Sequence, residues 1–266
     1  MSIVLQISDT HFGTERPGVV LALLALAAEI RPDLVVLSGD LTQRARPSEF
    51  AAVGAFVARL PSVPRLMVPG NHDIPLFDLL TRWRRPFAAY VAGCGPELEP
   101  SCRLADLFVT GVNSVRSWRH KHGALAPGQI DAVAQRLRTV GPGAMRIVVV
   151  HHPVDVGDAV DAGDIVRGAA EAVTAWAEAG ADLVMSGHVH VPLCRPLSVR
   201  YGAPARQCWV AVAGTAVSGR TRHGWPNSVN VLRIDRLQGV ERRVLELWNF
   251  DASQQAFRPG ACFELR

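Results

Sequence analysis

The sequence predicts an α/β fold built on a largely parallel sheet, and three observations carry that expectation. Short apolar, β-branched runs alternate with longer stretches of helical pattern. The runs stop at turn formers and polar residues. The C-terminal third then shifts toward strands with few helices, which adds a second, mixed sheet.

In chain order, strands are expected at IVLQI (3–7), LVVLS (34–38), RLMV (65–68), LFVTGV (107–112), RIVVV (146–150), DLVMS (182–186), CWVAVA (208–213) and VNVLRI (229–234). Helices are expected near 18–30, 48–60, 127–140 and 165–179. Pro127 opens the third helix and Gly180 follows the fourth, as capping preferences ask. The stretch VVLALLALAA (19–28) has no polar face, which predicts a helix buried on nearly all sides, with a homo-oligomer contact as the alternative. Residues 93–103 (GCGPELEPSCR) read as an irregular excursion, and 75–105 as a small lid on a single domain spanning 1–266. No linker, low-complexity tract or internal repeat interrupts the chain.

Composition narrows the class. The 266 residues are 48% hydrophobic and 20% charged, ordinary for a globular protein. The net charge of +4 is spread out, with RWRR (82–85) and RHKH (119–122) the densest basic clusters. Solvated loops are expected there, with contact to an anionic substrate as the alternative. His223 is likewise expected in a solvated loop. The five cysteines, Cys94, Cys102, Cys194, Cys208 and Cys262, form no C-x-x-C, which argues against a disulfide framework and a Cys-ligated zinc. The longest apolar stretch is half of what a bilayer needs, and SIVLQIS runs into Asp9 with no signal-peptide pattern. A cytoplasmic protein with no membrane partner is the expectation.

The residues just past each strand are more informative. Asp9 and His11 come after the first, Asp40 after the second, and Asn71, His72 and Asp73 after the third. Asn113 comes after LFVTGV, His151 and His152 after RIVVV, and His188 and His190 after DLVMS. Sites in open α/β sheets form outside the carboxyl ends of the strands, so these groups are expected to meet. D-x-H and G-H-x-H each place two side chains on one face of an extended segment. Carboxylates, an amide and imidazoles without a thiolate suit Mn, Fe, Zn, Co or Ni rather than Ca or Mg. Asp9, His11, Asp40, Asn71, His151, His188 and His190 are seven candidate ligands, too many for one tetrahedral site. They fit two ions about 3.5–4 Å apart that share a carboxylate. Two divalent ions against two carboxylates leave net positive charge even after a hydroxide binds, which favours an anionic substrate such as a phosphate ester.

The blocks D-x-H (9–11), G-D (39–40), G-N-H-D (70–73), H-H-P (151–153) and G-H-V-H (187–190) together resemble the calcineurin-like metallophosphoesterases. The resemblance implies a four-layer α-β-β-α sandwich of two mixed sheets flanked by helices. It implies two divalent transition-metal ions (Mn, Fe, Zn or Co) and hydrolysis by a metal-bound hydroxide. Carried over by position, Asp9, His11, Asp40 and His190 hold one ion. Asp40 as a bridge, Asn71, His151 and His188 hold the other. His152, adjacent to His151, is the alternative ligand; His151 is preferred as the first residue past the strand. His72 is implied over the substrate, with Asp73 orienting it. Asn113 and Arg116 are candidate pocket residues, although a turn explains both equally well.

Departures within the superfamily indicate the reaction. GDLTQRA (39–45) lacks the second Asp of the protein-phosphatase motif G-D-x-x-D-R-G. UDP-diacylglucosamine pyrophosphatases carry Arg at the position of His72. An alkoxide leaving group needs an acid, which an imidazole supplies, so His72 favours ester over anhydride cleavage. The chain looks most like bacterial phosphodiesterases of the cyclic-nucleotide and glycerophosphodiester type, including GTAVSGRTRHGWPNSVNVL (214–232). A small phosphate ester is therefore the expected partner, and nucleic acid is not. The alternatives are an Mre11/SbcD-like nuclease, which asks for a capping domain and a broad basic surface, and a broad phosphomonoesterase.

Overall fold

The computed structural model describes residues 1–202, 206–237 and 240–266. The chain opens with β1 (Ser2–Ile7), α1 (Pro17–Ile30), β2 (Leu34–Leu37), α2 (Pro47–Arg59) and β3 (Arg65–Met67). It continues through α3 (Leu79–Arg84), α4 (Ala88–Cys94), β4 (Ser101–Leu104), β5 (Leu107–Val112), α5 (Pro127–Arg138), β6 (Met145–Val150), α6 (Ala169–Glu178) and β7 (Leu183–Ser186). It ends with β8 (Leu193–Pro196), α7 (Ser198–Tyr201), β9 (Trp209–Val212), β10 (Ser228–Leu237), β11 (Val240–Asp251) and β12 (Ala256–Glu264).

Two six-stranded mixed sheets result, ordered β12-β11-β10-β1-β2-β3 and β4-β5-β6-β7-β9-β8. The first is parallel through β1, β2 and β3, and antiparallel from β1 outward through β10, β11 and β12. The second is parallel through β5, β6, β7 and β9, with antiparallel strands at both edges.

The strand period of two explains the layering. Val4, Leu34, Val36 and Leu66 meet Ile147, Val149, Leu183 and Met185 in a core between the sheets. Their neighbours Leu5, Ile7, Val35 and Leu37 turn the other way, under Leu23, Leu26, Val53 and Phe56 of α1 and α2. Val148, Val150 and Val184 pack under α5 and α6, with Trp176 fully buried. The order is helix, sheet, sheet, helix. Each such fully buried Leu or Ile contributes about 1.5–3 kcal/mol of transfer free energy.

Three sequence expectations are refined. The second, mixed sheet is present, and the C-terminal strands are shared between the two, β10 to β12 widening the first sheet and β8 and β9 the second. Residues 93–103 are not wholly irregular, since β4 pairs with β5 at a sheet edge. The 19–28 stretch buries most of α1, leaving Leu21 as its one large side chain more than half exposed. All five thiols are free. Among the described residues, no helix is long and apolar enough to cross a membrane.

Candidate metal centre

The parallel strands of both sheets end on one side of the molecule, and buried side chains lock those ends together. Gln6 Nε2 donates to Ser38 Oγ (3.0 Å) and to the Ser186 carbonyl (2.9 Å), and its Oε1 accepts from Asn230 (2.9 Å). The segments that follow β1, β2, β3, β6 and β7 are thereby held in register across the inter-sheet gap.

Within those segments the backbone is unusual. Asp9 (φ 52°), His11 (42°), Asp40 (50°), His188 (73°) and His190 (59°) all adopt left-handed conformations. Each costs about 1–3 kcal/mol and persists only where the surroundings enforce it. This corrects the period-two rationale. Asp9 with His11, and His188 with His190, lie beyond the ends of β1 and β7, and left-handed backbone rather than an extended pleat makes each pair converge. Close approach also requires two glycines. A Cβ on Gly70 would lie 2.2 Å from Asp40 N, and one on Gly187 would lie 1.9 Å from Ser8 Oγ.

The structure brings all seven expected ligands together. Ligand-capable atoms of Asp9, His11 and His190 lie within 4.8 Å of one another, as do those of Asp9, Asp40 and His151. His190 Nδ1 donates to the Arg220 carbonyl (2.6 Å), which turns its Nε2 toward the centre. That nitrogen faces His11 Nε2 at 3.0 Å and Asp9 Oδ1 at 3.2 Å. His151 Nδ1 donates to the Ser38 carbonyl (2.8 Å), while its Nε2 faces Asp40 Oδ1 (3.4 Å) and Asn71 Oδ1 (3.3 Å). Asp40 Oδ2 lies 3.7 Å from His11 Nε2, so this carboxylate touches both groups. Buried His188 Nε2 and His11 Nδ1 have no hydrogen-bond partner. Lone pairs converging on shared points, with orphaned imidazole nitrogens beside them, fit a cation, so these residues can hold metal ions.

Electrostatics agree. Burial works against ionising Asp40, but His151 and His72 outweigh it and hold the carboxyl well below its usual range. Asp9 is lowered too, with His190 and His151 overcoming burial. Burial brings His11 down to about 3 and His188 well below its usual value. Burial also depresses His151, but Asp40, Asp9 and the Ser38 carbonyl push it up to about 9. The centre thus offers two carboxylates held in the charged form beside the His11 and His188 imidazoles, which burial keeps neutral.

The remaining candidates fall differently. His152 has both nitrogens engaged, Nε2 donating to the Lys121 carbonyl (2.9 Å) and Nδ1 accepting from Ser114 Oγ (2.7 Å). Asp73 does not touch the His72 ring, contrary to expectation. Its oxygens accept from Leu41 N (3.1 Å), Thr42 N (2.8 Å), Thr42 Oγ1 (3.0 Å) and Gly70 N (2.9 Å), fastening the loops after β2 and β3. The His72 ring is oriented by Gln43, whose carbonyl accepts from Nδ1 at 2.8 Å. Asn113 and Arg116 do not line the cavity: Asn113 Oδ1 caps Val115 N (2.9 Å), and Arg116 ties Asn113 to Gln129 at the start of α5.

Sequence reading missed the arginines of the basic rim. A cavity of about 270 Å³ opens over the centre, bordered by Arg44, Lys121, Arg220 and Arg222. Arg220 Nη1 donates to Gln43 Oε1 (2.9 Å) and to His72 Nε2 (3.2 Å). Glu49, in the first turn of α2, accepts from Arg44 N (2.8 Å) and holds that loop. Lys121 and His120 are exposed, as expected of a solvated loop, and both also border the cavity. The one available signal for Arg220 and Arg222 was their place in SGRTR (218–222).

Comparison with solved structures agrees on the fold. The chain superimposes on a yellow lupin purple acid phosphatase, PPD1, with TM-score 0.71 and 14% identity, covering 99% of this chain and 53% of that one. A dimetal phosphatase from Danio rerio gives TM-score 0.65 and 13% identity, covering 99% and 98%. In sequence, the chain is 25% identical over 209 residues to a cAMP/cGMP dual specificity phosphodiesterase of Mycobacterium tuberculosis, covering 71% of this chain and 61% of that protein. It is 28% identical over 173 residues to the glycerophosphodiester phosphodiesterase GpdQ of Enterobacter lignolyticus, covering 59% of each. The chain thus spans about three fifths of the length of these curated relatives. Residues 3–192, which carry every motif of the centre, match the family profile described as calcineurin-like phosphoesterase, and the chain belongs to that family.

Proposed function

We propose that the chain is a metal-dependent phosphodiesterase acting on a small anionic diester, of the cyclic-nucleotide or glycerophosphodiester class. The observation that carries this is the position of Asp40, between two groups of ligands on the floor of a cavity whose rim is basic. The relatives named as phosphodiesterases support the diester choice. Asp9, His11, Asp40 and His190 would hold one divalent transition-metal ion, and Asp40, Asn71, His151 and His188 the other. His151 rather than His152 takes the ligand role, because both nitrogens of His152 are already engaged.

Bound divalent ions supply Lewis acidity toward the phosphoryl group and the attacking water. The chain's own residues do the rest. Asp9 and Asp40 supply the negative charge that retains the ions. Arg44, Lys121, Arg220 and Arg222 draw the diester anion into the cavity and stabilise charge that grows on its equatorial oxygens. His72 and Gln43 together hold the Arg220 guanidinium at the rim. A cavity of about 270 Å³ matches a small diester in size, which supports the small-substrate reading over the nuclease reading.

A panel with added Mn²⁺ tests this: bis(p-nitrophenyl) phosphate, p-nitrophenyl phosphate, cyclic nucleotides and glycerophosphodiesters. Diesters are expected to turn over faster than the monoester. A preference for the monoester, or cleavage of long DNA with steep salt dependence, would overturn the assignment.

A further inference from the structure

The segment after the Asn71–Asp73 turn has its polarity reversed. In α3, Arg82 is buried, and it donates to the carbonyls of Pro75 (2.7 Å), Ser117 (2.7 Å) and Arg119 (2.6 Å). The large apolar residues face solvent instead: Phe77 is 76% exposed, Leu79 71%, Trp83 75% and, on the segment that Arg82 holds, Trp118 77%. Single exposed apolar side chains are ordinary, but a cluster of this size marks a binding surface. Arg82 fixes the two segments to each other, so the surface is built rather than incidental.

Leu76, Leu79, Trp83 and Trp118 line one open cavity of about 670 Å³, within the range of small-ligand sites. Leu76 and His120 border both this cavity and the one above the metal centre, so the two adjoin. A substituent leaving the cavity above the metal centre past Leu76 and His120 would meet this apolar wall.

We infer that the substrate carries a large apolar substituent on its non-leaving ester oxygen, seated in the groove between Trp83 and Trp118. This rests on the phosphodiesterase reading above. Charge decides against a second copy of the chain as the occupant. Apart from Asp78, which caps α3 at Thr81 N (3.0 Å), residues 74–96 and 114–123 contain no acidic side chain. A two-fold contact through this face would bring two basic surroundings together, each with Arg119 at the groove and Arg84 and Arg85 next to Trp83 in sequence. An anion with an apolar arm complements both the groove and its basic surroundings.

The test compares methyl p-nitrophenyl phosphate with 2-phenylethyl p-nitrophenyl phosphate, which share leaving group and alkoxy type and differ in the remote ring. The metal-loaded protein should favour the phenylethyl ester by about tenfold in kcat/KM, mainly through KM, as one ring stacked on an aromatic side chain supplies. In a W83A/W118A variant of normal metal content and Tm the ratio should fall to near one, and W83F/W118F should restore most of it. A wild-type ratio near one, or a ratio that survives in W83A/W118A, would overturn the inference. A dimer or binding to anionic vesicles that W83A/W118A abolishes, with the ratio intact, would assign this face to an interface instead. If neither ester is hydrolysed by protein carrying its metals, the phosphodiesterase reading fails separately. Calorimetric titration with 2-phenylethyl phosphate against methyl phosphate then decides the groove: tighter binding of the former, lost in W83A/W118A, supports it, and equal binding overturns it.

Discussion

Arg220 Nη1 donates to His72 Nε2 across 3.2 Å, while His72 Nδ1 donates to the Gln43 carbonyl at 2.8 Å. Both ring nitrogens are engaged, and neither aims a proton into the cavity. A general acid needs its proton at the atom that meets the leaving group. We therefore propose that His72 acts by positioning Arg220, which changes the expected effect of its removal. His72→Ala is expected to keep the metals and to lower kcat/KM on an alkyl diester and on a p-nitrophenyl diester by similar factors. The loss should be about tenfold or more, the value of one hydrogen bond to a charged group. A loss confined to the alkyl diester would return His72 to the role of acid.

His151 and His152 are adjacent in sequence and differently engaged. His151 Nε2 faces Asp40 and Asn71, whereas His152 is tied to Ser114 and Lys121. His151→Ala should lose about one equivalent of metal. His152→Ala should keep both and lower stability by about 2 kcal/mol, the cost of vacating a buried, hydrogen-bonded site. Metal analysis beside urea denaturation separates them, and the reverse pattern would exchange the two assignments.

Away from the centre, buried Asp155 accepts from Arg195 Nε (2.8 Å) and Nη2 (2.9 Å) and from Arg200. Burial raises its carboxyl, but the two guanidinium partners hold it below its ordinary 3.8. A carboxyl lowered by folding stabilises the native state above its unfolded pKa, and that contribution is lost as pH falls through the folded value. Asp155→Asn should therefore cost about 3 kcal/mol at pH 7, and its gap from wild type should narrow only below pH 3.8. Urea midpoints across pH 7 to 3 read this directly. A gap that stayed constant across the series would contradict the ion-pair account.

The parts of the fold legible in sequence were those buried on both faces. Leu34–Leu37 is fully buried, and so is Leu107–Val112, which makes each a continuous apolar run. β4 alternates exposed and half-buried residues at a sheet edge, and β12 carries Pro259 and Gly260 in a largely exposed run, so neither has that signature. The centre was legible because a polar Asp, Asn or His directly after an apolar run is conspicuous. Its backbone was not, since the left-handed conformations of Asp9 and His188 come from contacts between the two sheets. Nor was the Arg220–His72 contact, which joins residues 148 positions apart.

The most direct test is a metal titration of chelator-treated protein, followed through hydrolysis of bis(p-nitrophenyl) phosphate. Hydrolysis should be absent without metal and rise steeply only as the second equivalent binds, saturating near two ions per chain; Asp40→Ala, lacking the carboxylate that touches both groups, should bind fewer than one. Full activity with one ion, or with none, would contradict a dinuclear phosphodiesterase centre.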